Sequence, residues 1–220
     1  MHRSLWLLVL TLLCACHARA PRPAAGPAQT PLPEVFGPIG WNTTADSLRA
    51  RFPEAQVTET EPRDTGWKDE DGRELRAVEV LATDAHLEPF GTVDIRVMRF
   101  EGHPPAVLVI QRSDNPQVEC YPPGATQEQI DACWLRLGQE RRAVYEPLAA
   151  RLGARFGPGR LGHLESEAEL TDEDPVDLEQ SERTWELPGL DLRLALGLDP
   201  RYHATRMVRL VASRDRRYPY

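Results

Sequence analysis

Lysine is almost missing from this chain: of 26 basic residues only Lys68 is lysine, and the rest are arginine. GC-rich codon usage accounts for such a bias, and an Arg-rich surface that recognises phosphate or carboxylate is the functional alternative. Acidic residues outnumber basic ones, for a formal net charge of −8, so the chain lacks the positive balance that nucleic-acid binding requires. Nucleic acid is not an expected partner. No apolar run approaches the ~20 residues of a membrane-spanning helix. Aromatics are scarce at 7%, yet 41% of residues are hydrophobic, which is enough for a globular core and excludes a wholly disordered chain.

The one sustained apolar run, Leu5–Leu13, follows Arg3 and has the length of a signal peptide. Cleavage after Ala18-Arg19-Ala20 is one processing route, but Pro21 disfavours it. The other route uses Leu13-Cys14-Ala15-Cys16, which resembles the lipobox of bacterial lipoproteins, with Cys14 an unusual residue at its second position. The resemblance implies that Cys16 carries a lipid and becomes an acylated N-terminus, several acyl chains giving durable anchoring. His17 stands where many inner-membrane lipoproteins have Asp, so the resemblance implies the outer membrane, facing the periplasm. Plain secretion or a periplasmic location is the alternative. After the signal peptide (1–15), residues 16–38 hold six prolines and no apolar periodicity, and read as a semi-rigid tether.

Two stretches follow, 39–115 and 116–213, before a basic tail at 214–220. Each runs helix first, then strands. A helix capped by Thr43 or Thr44 is expected to run to Phe52, stopped by Pro53, and strands over Leu75–Ala82, Thr92–Phe100 and Ala106–Arg112. In the second stretch Thr126-Gln127-Glu128-Gln129 is a capping-box pattern. Ile130, Trp134, Leu137, Val144, Leu148, Leu152 and Phe156 then recur at helical spacing, as one helix or as two broken near Gly138 or Pro147. Strands are expected over Arg183–Leu187, Leu190–Leu198 and Thr205–Ser213. The helix ends Leu48–Pro53 and Leu152–Gly157 agree at four of six positions. The expected fold is α+β, in two tandem helix-plus-antiparallel-sheet units, with an α-β-β-β duplication as its origin.

The opening Phe36-Gly37-Pro38-Ile39-Gly40-Trp41 before a capped helix, together with Phe156-Gly157-Pro158 and the strand order, is similar to two families. These are the small outer-membrane lipoproteins of barrel assembly and the secreted β-lactamase inhibitor proteins, both with tandem helix-and-sheet repeats. The resemblance implies fold alone and carries over no functional residue.

Chemistry-bearing residues are sparse. Cys120 and Cys133 lie thirteen positions apart in a chain bound for an oxidising compartment, and read as a disulfide; a metal site or a nucleophilic cysteine lacks supporting neighbours. No histidine pair has ligand spacing, and no serine-hydrolase, phosphate-loop or dinucleotide motif occurs. Glu165–Glu182 holds nine acidic residues and no basic one. It reads as a solvated loop, with Asp172, Asp174 and Asp177 as the calcium-binding alternative, although the spacing lacks the loop glycine and terminal glutamate of an EF-hand. Trp67 sits in a polar stretch and is the candidate contact residue. No cofactor is indicated. These features point to a non-catalytic envelope lipoprotein with a binding or structural role. It would be held to the membrane by its lipid, with another envelope protein as its candidate partner; an envelope hydrolase without a recognisable motif is the alternative.

Overall fold

The computed structural model describes residues 30–69, 72–114, 116–162, 181–199 and 202–214. Helix α1 (Ala45–Arg51) starts at Thr44, whose hydroxyl accepts from the Ser47 amide while Ser47 Oγ accepts from the Thr44 amide. This reciprocal cap satisfies two amides that the first turn leaves without helical partners. Strands β1 (Gln56–Glu59), β2 (Arg63–Lys68), β3 (Glu74–Leu87), β4 (Gly91–Phe100) and β5 (Pro105–Asp114) follow. Next come a single turn, α2 (Pro116–Glu119), and the long helix α3 (Gln127–Phe156). The chain closes with β6 (Arg160–Gly162), β7 (Ser181–Leu187), β8 (Leu190–Asp199) and β9 (Tyr202–Ser213).

All nine strands form one antiparallel sheet in the order β1-β3-β4-β5-β9-β8-β7-β6, with β2 paired to β3 beside β1. The two meanders, β3-β4-β5 and β7-β8-β9, join through their third strands, in a register that sets Ile110 opposite Leu210. The α+β expectation therefore holds. The division at 115/116 separates the stretches along the chain but not in space: Ile95 and Leu108 share one buried cluster with Leu194 and Leu210.

Both longer helices cover one face of this sheet. Ala45 and Leu48 from α1 with Phe52 at its C-terminal cap, and Val144, Tyr145, Leu148 and Leu152 from α3, pack into the same cluster as the inward residues of β3, β4, β5, β8 and β9. Helix α3 is continuous over 30 residues. Pro147 interrupts the hydrogen-bond ladder without breaking it, because Pro147 and Ala143, whose carbonyl loses its donor, both lie on the exposed side. No helix among the described residues is long and apolar enough to cross a membrane.

The tether boundary needs correction. Residues 30–38 are not a free linker: Phe36 is fully buried, Leu32 and Val35 pack against the main cluster, and the Thr30 amide donates to the Pro188 carbonyl at 2.9 Å. Proline density read as spacer conceals the three apolar side chains that dock this segment. Strands β1, β2 and β6 are also additions to the expected set. They are short edge strands, largely exposed, and so lack the apolar alternation that marks the others.

The turn after α3 is fixed by one close packing. The indole Nε1 of Trp185 donates to the Gly157 carbonyl at 2.8 Å. Gly159 has φ +71°, and a Cβ there would stand 2.7 Å from Trp185 Cε2. Gly159→Ala therefore forces both a left-handed backbone on a residue with Cβ and a shift of a buried ring. The expected loss is about 1–3 kcal/mol in urea unfolding, whereas Gly138→Ala, on the helix with open space around it, should stabilise slightly.

Candidate functional site

Alternation along the strands sends a second set of side chains to the face opposite the helices. Across the sheet these form rows. Leu81, Arg96, Val109, Val211, Arg193 and Thr184 are successive cross-strand partners, and Asp94, Gln111, Arg209 and Ala195 form the next row. Leu75, Met98, Phe100, Ala106, Val107, Val109 and Val211 form a buried cluster there, made among the described residues of strand residues alone. Beside it, Gln111, only 3% exposed, accepts from Arg209 Nε at 2.7 Å and donates to Ser113 Oγ at 2.7 Å. Arg96 lies 3.5 Å from Glu79. This face is polar and apolar by turns, and it offers contact surface rather than reactive groups.

At one end of the sheet, Cys120 and Cys133 are joined as expected, with Cα atoms 5.5 Å apart. The bond holds α2 and the exposed loop 121–124 against the first turns of α3, around a small cluster of Cys120, Ile130, Trp134 and Leu137. An ion chain ties this end to the sheet. Arg136 bonds Glu140 at 2.7 Å and reaches Glu119 at 3.9 Å, and Arg112 on β5 bonds Glu140 at 3.1 Å. The Arg136 hydrogen bond holds the Glu140 carboxyl below the usual carboxylate range, burial opposes it, and Arg112 adds to the lowering. The Arg136/Glu140 pair at i,i+4 was readable from sequence; the Arg112 contribution needed the sheet.

Three grooves among the described residues could hold a small ligand. One, about 370 Å³, is lined by Phe156, Gly159 and Trp185 with Arg160 and Glu186. A second, about 460 Å³, runs between α1 and the preceding loop over Ile39, Leu48 and Phe52. Among the described residues Arg51 is its sole ionisable lining residue. Its hydroxyls serve the backbone, Thr43 Oγ1 accepting from the Gly40 amide and Ser47 Oγ donating to the Thr44 carbonyl. A nucleophile needs an adjacent base, and this groove supplies none. The third, about 150 Å³, lies over Thr184 between Arg160 and Arg193, with Glu186 and Asp191 at its side. Arg160 and Glu186 stand 3.6 Å apart there, both well exposed. It pairs charges without setting a nucleophile against a base.

Cys16, His163 and the acidic trio Asp172, Asp174 and Asp177 lie outside the described residues. Among the described residues, no three His, Cys, Asp or Glu side chains converge as a metal site would require. His86 and His103 are exposed. Trp134 and Trp185 are core residues, 7% and 3% exposed, while Trp67 is 47% exposed. Trp67 lies on β2 rather than in a loop, next to Gly66 at φ +75° and within a register shift between Asp64 and Lys68. Trp41 is half-buried, with the Arg214 guanidinium 4.2 Å over its ring. Burial pushes the Arg214 guanidinium below its ordinary pKa. Sequence reasoning gave no hint of that stack, because it joins residues from the two ends of the described sequence.

Against known proteins, the chain matches no family model, no curated protein and no solved structure.

Proposed function

We propose that the chain is a lipid-anchored protein of the bacterial envelope, with a binding or structural role at the outer membrane. The observation that carries this reading is Leu13–Cys16 at the end of a nine-residue apolar run, followed by a short Pro-rich segment. The Cys120–Cys133 bond supports it, since such a bond persists in an oxidising compartment. A contact role is supported by the wide sheet face without a helix among the described residues, and by grooves that lack a nucleophile–base pair. We read the body as a duplicated helix-and-meander unit. In support, strand order runs β4, β3, β1 outward from β5 and β8, β7, β6 outward from β9, and each half begins with a capped helix.

The test is metabolic labelling with a clickable fatty acid in a bacterial host. Wild-type protein is expected to carry the label and sediment with membranes, and Cys16→Ser is expected to lose the label entirely. Equal labelling of both would overturn the anchor.

A further inference from the structure

We propose that the end of the sheet from which the tether leaves is a phospholipid-contacting surface, with Trp67 seated among the headgroups of the bilayer that holds the anchor. The proposal rests on lipidation at Cys16. Its geometry comes from the strand register. Thr30, where the described chain begins, bonds Pro188 in the β7–β8 turn, which is closed by the Leu187–Leu190 pair. On the neighbouring strand Ser213, the last residue of β9, lies opposite both Asp191 and Val107, and the Arg214 amide donates to the Ala106 carbonyl. The β4–β5 turn is therefore at this end too. So is the β2–β3 hairpin, because Ala77 pairs with Phe100, the last residue of β4, and Lys68 pairs with Glu74 beyond it. Four strand spacings, about 19 Å, separate β3 from β8.

The length of chain between anchor and body then constrains the orientation. Residues 17–29 are thirteen in number and reach at most about 45 Å when fully extended. The disulfide-closed end is remote from the tether exit: α3 alone, 30 residues, spans about 45 Å from that end back toward β6. Turning the disulfide end to the bilayer would lift the tether exit by about the whole reach of the tether, whereas the opposite orientation needs no such extension, so the tether-exit end is the one that faces the bilayer. What projects there is the hairpin bearing Trp67, which is 47% exposed beside an exposed Lys68. An indole with an apolar ring and one N–H donor suits the headgroup layer. From position 68 to 74 the hairpin sequence sets Lys68 and Arg73 against Asp69, Glu70, Asp71 and Glu74, so charge of both signs is present with an acidic excess that anionic lipid would repel. Such a pattern fits a zwitterionic headgroup, phosphate and ammonium together, better than an anionic one.

The experiment uses full-length, fatty-acid-labelled protein purified from membranes and reconstituted into phosphatidylethanolamine/phosphatidylcholine vesicles. The acyl chains are brominated close to the headgroup, so that only an indole in contact with lipid is quenched. Wild-type emission is expected to drop against unbrominated vesicles, and Trp67→Phe is expected to abolish that drop. Tyr121→Trp in the Trp67→Phe background, which places an indole at the disulfide end, is expected to stay unquenched. Labelled wild type without quenching, or equal quenching with and without Trp67, overturns the orientation and leaves the anchor standing. Quenching at position 121 overturns it in favour of the opposite end. Absence of the fatty-acid label overturns the anchor itself, and is read separately from the fluorescence. Vesicles with phosphatidylglycerol replacing half the lipid are expected to quench no more strongly; a marked increase would overturn the zwitterionic assignment.

Discussion

Leu148→Ala is expected to lower the stability of the folded body by about 2–5 kcal/mol, while Leu135→Ala on the same helix should change it by no more than about 0.5 kcal/mol. Leu148 is fully buried in the cluster that α1, α3 and the sheet share, so its truncation leaves a cavity between layers that are held on both sides. Leu135 is 57% exposed and lies thirteen residues earlier, on the outward side of α3. The contrast separates burial from helix propensity, because both substitutions replace leucine with alanine inside one helix and propensity changes equally. Urea unfolding followed by far-UV circular dichroism measures both. Similar losses at the two positions would mean that α3 does not pack on the sheet through the stripe containing Leu148.

That stripe was largely legible in the amino-acid sequence. Ile130, Trp134, Leu137, Val144, Leu148 and Leu152 are all buried, because a helix against a sheet needs apolar residues every three or four positions. Arg141 was not legible: it occupies the stripe between Leu137 and Val144 and is 3% exposed, where a reading by apolarity passes over it. The alternation of Leu190, Leu192, Leu194 and Leu196 likewise gave β8 its buried face, and the continuous run Ala106–Ile110 gave β5 its central place.

Pairing between distant strands is another matter. Nothing local in Val107–Asp114 states that its neighbour is Arg206–Ser213, about a hundred residues later, so one sheet rather than two was beyond pattern reading. The contact surfaces were hidden for the same reason. The charged rows on the second face arise only when Gln111 and Arg209 are brought side by side by that pairing. Trp67 was singled out by its polar neighbours, and its exposure follows from them. Its position at the tether end follows from the register of β2 on β3, which a short, exposed strand does not announce.

Removing the disulfide is expected to cost about 3 kcal/mol, and to do so unevenly. The bond closes a loop with a sequence separation of 13, and in the chain-entropy treatment a loop of that size restrains the unfolded chain by about 3 kcal/mol. In the folded state Cys120 is 1% exposed and belongs to a cluster with Ile130, Trp134 and Leu137, distinct from the main core. Without the bond, α2 and the loop 121–124 keep that small cluster, the approach of α2 to β9 and the 3.9 Å Glu119–Arg136 contact, which is partly exposed and worth little. The first turns of α3 then lose their lateral support, whereas Val144 to Leu152 remain clamped in the main core. The paired variant Cys120→Ala/Cys133→Ala should therefore unfold at lower urea and, in native conditions, exchange the amides of residues 127–137 faster than those of 144–152. The unreduced wild type should show no reactive thiol at either position when unfolded. Two free thiols there, or uniform acceleration of exchange along α3, would refute the staple and its confinement to this end of the helix.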